Sequence, residues 1–410
     1  MSDDPTVLVI GGGATGTGVA RDLAMRGVDV TLVDRGGLGS GTSGRSHGLL
    51  HSGARYAEAD PEGASECIEE SRTLKSVAGA CVRDTGGLFV RLDGDDPDYF
   101  AEKLAACEEI GIETERLDGD AVRERVPGLA DEVAEAFSVP DGVIYPSRLV
   151  AANAADAERH GATVHPDAPV EDVTVTDGAV DAVRVGGSVD ATLSPEVVVN
   201  ATGAWADAIA EMADVPVGMA PSRGVMVSVE YDGLKPVLNR CRDPDDGDIV
   251  VPHDGEVVLG TTSVPVSDPD DYETADWEVE RSVEECAAML PDVADAPTVR
   301  TWWGVRPLYA PDESGSNRRG ISRGFTLLDH ERDDAAGLYS VVGGKLTTYR
   351  QMAETTADRI CERLGVDAAC ETASEPLAHA DDPERLDELV AAYGGANPTD
   401  RDVVGAPADD

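Results

Sequence analysis

The sequence predicts an α/β fold in which a Rossmann-like nucleotide-binding domain carries an inserted antiparallel-sheet lobe. Three observations predict it. A strand–glycine–helix unit opens the chain, and two further units of the same form lie far along it. The residues between them break into short alternating apolar segments, the pattern of an antiparallel sheet with one covered face.

Each element follows from its residues. Thr6–Ile10 is a short apolar run, Gly11–Gly18 is glycine-rich, and Val19–Arg26 has helical character. Val28–Val33 is again β-branched and ends at Asp34, which completes a β–turn–α–β unit. Gly86–Leu92 and Phe137–Pro140 are strand candidates around a helix at Tyr99–Ile110. Val197–Asn200 is the second nucleotide-domain strand, followed by Ala201-Thr202-Gly203 and a helical stretch from Trp205 to Met212. Val225–Val229, Ile249–Val251 and Val257–Gly260 alternate as strands, with a helical stretch near 278–290. Leu338–Val342 runs into Gly343-Gly344 and a helix over Leu346–Leu364. Beyond residue 366, Asp382-Pro383 reads as an N-cap followed by proline at N1, and Gly394 as the C-terminal stop of one short helix.

Composition limits what such a fold can serve. With 33 Lys+Arg against 80 Asp+Glu, the formal net charge is −47, so the chain lacks the basic field that nucleic acid requires. Apolar residues still make up close to half the sequence, which separates it from disordered acidic proteins. No apolar run is long enough to span a bilayer, and the acidic start Met1-Ser2-Asp3-Asp4-Pro5 carries no visible signal peptide. The seven cysteines (67, 81, 107, 241, 286, 361 and 370) are dispersed without a C-x-x-C pair, so neither a disulfide framework nor a metal site is expected. A cytoplasmic, soluble protein is the expectation. Only four basic residues are lysine (Lys75, Lys103, Lys235, Lys345). An acidic, lysine-poor surface on an ordinary core fits a halophilic protein, in which salt screens self-repulsion.

The motifs carry the chemistry. Gly11-Gly12-Gly13-Ala14-Thr15-Gly16 satisfies G-x-G-x-x-G after a strand and before a helix. Gly11 suits the tight turn, Gly13 the approach of a pyrophosphate, and Gly16 the packing of helix on strand. The helix N-terminus offers N–H groups to the anion, and Asp34 stands where an acid takes ribose hydroxyls. Gly39-Ser40-Gly41-Thr42-Ser43-Gly44-Arg45-Ser46-His47-Gly48 is small and hydroxyl-rich, like a loop that wraps a flavin dinucleotide. Gly343-Gly344-Lys345-Leu346-Thr347-Thr348 opens a helix whose N–H groups suit a flavin carbonyl and the negative charge of the reduced ring. Together these point to FAD rather than NAD. The cofactor contacts expected are Gly11, Gly12, Gly13, Ala14, Thr15, Gly16, Asp34 and Arg35; Thr42, Ser43, Arg45, His47 and Gly48; Ala201, Gly203 and Trp205; and Gly344, Lys345, Leu346 and Thr347.

With Gly48-Leu49-Leu50-His51-Ser52-Gly53-Ala54-Arg55-Tyr56, Val199-Asn200-Ala201-Thr202-Gly203-Ala204-Trp205, Trp303-Gly304-Val305-Arg306-Pro307-Leu308 and Gly343–Arg350 added, the chain resembles the FAD-dependent glycerol-3-phosphate dehydrogenases. It is most similar to the catalytic A subunits of the anaerobic type, over roughly residues 6–365. The resemblance implies a D-amino-acid-oxidase-like fold and oxidation of sn-glycerol 3-phosphate to dihydroxyacetone phosphate. It also implies electron-transfer and membrane-anchor subunits that pass electrons to the quinone pool and hold the protein on the inner face of the membrane. On this reading 1–85, 145–215 and 320–365 form a discontinuous FAD-binding domain. Residues 86–144 and 216–319 form the substrate domain, and 366–410 a C-terminal tail.

Residues matching His51, Arg55, Arg306 and Lys345 line the family's substrate site, so His51, Arg55 and Arg306 are the catalytic candidates. Tyr56, Arg323 and Lys345 join Arg55 and Arg306 as substrate-binding candidates. A phosphate dianion needs convergent cations, and an alcohol oxidation needs a base. The plain alternatives are a core imidazole for His51 and a surface ion-pair partner for Arg323. Two departures stand out: Asp34 where the family usually has Glu, and an end at Asp410 before the family's cysteine-bearing C-terminal module, which leaves the electron route open. Other functions on the same fold are an FAD oxidase or dehydrogenase of an amino or 2-hydroxy acid, and a flavin-binding electron-transfer protein without turnover.

The charge yields one prediction. Melting temperature should rise steeply from low to molar KCl, because the Debye length shrinks to about 3 Å at 1 M and removes the self-repulsion. A flat melting curve across that range would contradict the salt reading.

Overall fold

The computed structural model describes residues 5–310 and 324–395. The run Val7-Leu8-Val9-Ile10 forms the strand Val7–Ile10, and its alternation sets the architecture. Val7 and Val9 point into one core, Leu8 and Ile10 into another, and none is more than 4 % exposed. A strand buried on both sides requires a sheet covered on both faces.

That sheet has six strands, in the order Phe325–Asp329, Leu338–Gly343, Val197–Asn200, Val7–Ile10, Val30–Val33 and Thr163–His165. Neighbours run parallel except at the edge, where Phe325–Asp329 is antiparallel to Leu338–Gly343. Val7 pairs with Val197 on one side and Val30 on the other. The three strand–glycine–helix units read from the sequence therefore meet in one sheet. On one face the helices Ala14–Met25, Pro146–Arg159 and Tyr349–Leu364 share a core with Val7 and Val9. On the other, an antiparallel meander (Val170–Thr176, Ala179–Val185, Ala191–Leu193) and the helix Ala206–Glu211 cover Leu8 and Ile10.

A second sheet joins nine strands. Ser222–Glu230 lies between Thr298–Arg306 on one edge and Glu256–Gly260 on the other, and the sheet continues through Ile249–His253 and Val237–Arg240 to Gly87–Leu92 and Val133–Val139. It is antiparallel as expected, apart from the parallel pair Val237–Arg240 and Gly87–Leu92. The helix Asp276–Ala287 packs on one face. The other face, through Met226, Val251, Val258 and Trp302, buries Leu49 and Val143 of a small three-stranded sheet. That seam joins the small sheet to the second sheet.

The structure shifts two helix starts. The first helix begins at Ala14 rather than Val19, with Gly13 as its N-cap in extended conformation. The helix that follows Leu338–Gly343 begins at Tyr349 rather than Leu346. Gly343 and Gly344 both hold positive φ (78° and 75°), and the chain then makes a turn, Thr348 N donating to Lys345 O at 3.1 Å, before the helix is entered. The segment set apart as a tail packs into the nucleotide-domain core through Leu377, Leu386, Leu389 and Val390. Its helix Pro383–Ala392 has the expected cap, Arg385 N donating to Asp382 Oδ1 at 3.0 Å. Among the described residues no helix is long and apolar enough to cross a membrane.

Candidate active site

The turn joining Val7–Ile10 to Ala14–Met25 requires glycine at two places. Gly11 has φ 108°, and a Cβ there would stand 2.6 Å from Ala201 O. A Cβ at Gly16 would stand 1.8 Å from Gly11 O, so this residue lets the helix settle on the strand. Gly13 differs. Its backbone suits any residue, a Cβ there would meet only Ser43 Oγ at 3.2 Å, and its bare face borders an open cleft.

Asp34 ties this turn to the second strand. Its Oδ2 accepts from Gly12 N at 2.6 Å and its Oδ1 from Gly36 N at 2.8 Å. Burial pushes the carboxyl above the usual carboxylate range, against the pull of those two N–H groups and of Arg35. The cleft beside it encloses about 540 Å³ and is lined by Gly11, Gly13, Asp34, Thr42, Ala201 and Gly203, with Arg45 and Trp205 as walls. At its mouth Arg35 donates to both oxygens of Asp270 (2.8 and 2.6 Å) and lies 4.7 Å from the centre of the Trp205 ring. Asp270 comes from the second lobe, in an acidic stretch of an acidic chain, and no sequence signal marks it.

A second cleft, of about 550 Å³, meets the first at Thr42. His51, Arg55, Tyr56, Arg306 and Lys345, from three distant stretches of the sequence, all line it, together with Ser43, His47, Gly344 and Leu346. His51 N donates to Thr347 Oγ1 at 3.1 Å, and the His51 ring lies 5.6 Å from that of Tyr56 and 6.2 Å from that of His47. Lys345 Nζ stands 5.0 Å from the centre of the Tyr56 ring, a cation–π contact. Arg55 donates to Asn239 Oδ1 and Asp248 Oδ2, both at 3.4 Å. Arg306 donates to Thr261 Oγ1 at 3.0 Å and to the carbonyls of Thr262 and Arg223 at 2.9 and 3.4 Å. Burial pushes the Asp248 carboxyl above its ordinary range, and Arg55 is the leading influence the other way.

Other expected contacts lie behind the lining. Gly12, Ala14, Thr15 and Gly16 shape the turn: Ala14 N donates to Ser43 Oγ at 3.0 Å, and Thr15 Oγ1 faces Met352 Sδ at 3.9 Å. Gly48 serves the small sheet, its carbonyl accepting from Ile144 N at 2.7 Å. Thr347 is fully buried and holds His51. The N–H of Lys345 is not a helix-terminal donor, since it donates to Thr348 Oγ1 at 3.3 Å. Arg323 lies outside the described residues. Missed altogether were Asn239 and Asp248, which orient Arg55, and Thr261 and Thr262, which orient Arg306. The short run Val237-Leu238-Asn239-Arg240 carries no sequence signal that marks Asn239 for this role.

The paired clefts fit FAD. The first ends on a glycine cradle that a Cβ would fill and on the Asp34 carboxylate, and the second opens onto the Gly344-Lys345-Leu346 turn.

Comparison with known proteins agrees. Residues 6–392 match the model of the FAD dependent oxidoreductase (DAO) family. The chain is 49% identical to the A1 subunit of the anaerobic glycerol-3-phosphate dehydrogenase of Haloferax volcanii, over 98% of this chain and 71% of the relative. It is 42% identical to the A subunit of the Escherichia coli K12 enzyme of the same name, over 94% and 72%. Among solved structures, the glycerol-3-phosphate dehydrogenase from Bacillus halodurans complexed with FAD superposes with a TM-score of 0.71 at 23% identity, over 98% of this chain and 77% of that one, a likeness of fold.

The two glycine environments predict different outcomes. Gly13→Val should fold and melt like the flavin-free protein yet stay colourless, because only the cleft is filled. Gly16→Val should fail to accumulate as folded protein. Full yellow occupancy in Gly13→Val, read from the flavin absorbance of purified protein, would overturn the assignment.

Proposed function

The chain belongs to the FAD dependent oxidoreductases and, among them, to the anaerobic glycerol-3-phosphate dehydrogenase A subunits, and on that basis we propose that the second cleft oxidises sn-glycerol 3-phosphate to dihydroxyacetone phosphate. The observation that carries the reading is the convergence of Arg55, Arg306 and Lys345 with the His51 imidazole on a single cavity that His47 also lines. Gly13, Asp34, Ala201 and Gly203 would hold the dinucleotide and Gly344 and Leu346 the ring. FAD, when bound there, supplies the acceptor for the hydride leaving the carbinol carbon.

In this proposal Arg306 and Lys345 hold the phosphate dianion. Arg306 reaches it from the antiparallel sheet with its guanidinium already oriented by Thr261 and Thr262, and Lys345 acts as a point charge braced on Tyr56. Arg55 and Tyr56 shape the polyol end, and His51, fixed through its peptide N–H by Thr347, takes the hydroxyl proton. Arg323 is proposed as a further phosphate contact. Electrons then pass to partner subunits and the quinone pool, with the protein peripheral on the cytoplasmic membrane face through those partners. An amino- or 2-hydroxy-acid substrate would call for one cation against its carboxylate, whereas Arg55, Arg306 and Lys345 all line this cavity, alongside Glu58, Asp60 and Asp245.

The direct test is anaerobic mixing of the FAD-loaded protein with glycerol 3-phosphate, glycerol and lactate. Flavin absorbance should bleach rapidly only with the phosphorylated alcohol. Bleaching by lactate alone would favour the acid-oxidising reading, and bleaching by none the non-catalytic one.

The assigned roles also set the outcome of substitutions. Arg306→Leu and Lys345→Met should each weaken glycerol 3-phosphate binding about ten- to a hundredfold, the loss of one charge-assisted hydrogen bond of about 1.5–3 kcal/mol, and leave binding of neutral glycerol little changed. Equal losses for both ligands would move the phosphate site toward Arg55 and Arg323. His51→Asn should slow flavin reduction at saturating substrate with affinity broadly intact, and an unchanged rate would assign the proton to another group.

A further inference from the structure

Behind the cleft lies a carboxylate that does not line it. Asp141 sits in the turn between Val133–Val139 and Gly142–Ile144 and is 3 % exposed. Its Oδ1 accepts from Ser52 N at 2.8 Å and its Oδ2 from Asn239 Nδ2 at 3.1 Å. The turn is pinned by Lys75, whose Nζ donates to the carbonyls of Pro140 and Asp141 at 2.8 and 3.4 Å. Gly87 makes the space: a Cβ there would stand 2.6 Å from Asp141 Oδ2. A buried carboxylate met only by donors of this kind stays in one orientation.

The two hydrogen bonds lead to the two functional side chains. Ser52 N belongs to the peptide that follows His51, while the N–H of His51 itself is held by Thr347 Oγ1. The backbone carrying the imidazole is thus clamped from both sides. The Asn239 amide has one donating and one accepting end. Because Asp141 only accepts, Nδ2 must turn toward it, and Oδ1 is left facing Arg55 Nη1 at 3.4 Å. Without an acceptor at position 141, the amide is free to turn and present its own N–H₂ to the guanidinium. The 3.4 Å contacts of Arg55 to Asn239 and Asp248 are long, so direction from behind matters more than strength.

We propose that Asp141 is a positioning residue that sets His51 and Arg55 in register for alcohol oxidation, acting on His51 through the Ser52 peptide and on Arg55 through Asn239. The role rests on the reading of the cleft given above.

An exchange of the two side chains tests it. In Asp141→Asn, Oδ1 still accepts from Ser52, but the new amide N–H₂ confronts that of Asn239. In Asn239→Asp, two carboxylates face each other. In the exchange variant Asp141→Asn/Asn239→Asp, the carboxylate at 239 accepts from the amide at 141 and from Arg55, and complementarity returns. The FAD-loaded variants are reduced anaerobically with saturating glycerol 3-phosphate and, separately, with dithionite, which needs neither His51 nor Arg55. Asp141→Asn should reduce its flavin about ten- to a hundredfold more slowly with substrate, the loss of one oriented charge-assisted hydrogen bond, and the exchange variant should recover most of that loss. Dithionite rates should match the parent throughout. A parental substrate rate in Asp141→Asn, or an exchange variant no faster than the single variants, overturns the proposal. Should Asp141→Asn not accumulate, the comparison of Asn239→Asp with the exchange variant decides on the same terms. If the parent itself is not reduced by glycerol 3-phosphate, the proposed reaction fails; if the parent reacts and the exchange does not rescue, only the role of Asp141 fails.

Discussion

Gathering cations of like sign against one cavity is the constraint on which the site depends. Arg55, Arg306 and Lys345 repel one another, and each must be held in place before an anion arrives to neutralise them. Three different devices do this. Arg55 rests between a neutral amide oxygen and the buried carboxylate of Asp248, Arg306 on a hydroxyl and two carbonyls, and Lys345 against the face of Tyr56. Carboxylates of Glu58, Asp60 and Asp245 line the same cavity and Asp248 backs Arg55, so the cations are set among acidic groups.

Arg306 ends a strand of the second sheet, Arg55 follows the small three-stranded sheet and Lys345 follows the six-stranded one, so the junctions between them are part of the site. The loop Ser40–Gly48 is fastened to the strand Thr298–Arg306: Thr42 Oγ1 donates to Val305 O at 2.7 Å and Trp302 Nε1 to Arg45 O at 3.3 Å. Gly304 permits the approach, since a Cβ there would stand 2.4 Å from Arg45 O. The loop that borders both clefts and the strand that ends at Arg306 therefore move as one piece. Packing of Leu49 and Val143 against Met226, Val258 and Trp302 supplies the apolar part of the same junction.

Much of this was legible in the sequence, and the exceptions have physical reasons. The parallel strands announce themselves because a strand buried on both faces reads as a near-continuous apolar run, as in Val7–Ile10 and the Val197-Val198-Val199 stretch before Asn200. The glycine turn and His51, Arg55, Arg306 and Lys345 stand out through residue type and spacing. The groups that orient them do not. Asn239 and Asp141 matter through the directions of their hydrogen bonds, which only the fold defines, and an Asp among 80 acidic residues carries no mark of its own. Helix starts slipped for the same reason: glycines at 343 and 344 signal a turn but not that both take positive φ. The helix Pro61–Val77 went unread although Asp60-Pro61 is the same cap-and-proline signal that located Pro383–Ala392, and Asp60 indeed accepts from Gly63 N at 3.0 Å.

In the proposed reaction one cavity binds the phosphate between Arg306 and Lys345 and presents the carbinol to His51. The measurement closest to that arrangement is a crystal structure of the FAD-loaded protein with dihydroxyacetone phosphate. Phosphate oxygens should lie in hydrogen-bonding contact with both Arg306 and Lys345, and the C2 oxygen within about 2.6–3.2 Å of a His51 ring nitrogen. Phosphate seated on Arg55 instead, with the C2 oxygen out of reach of His51, would contradict the assignment.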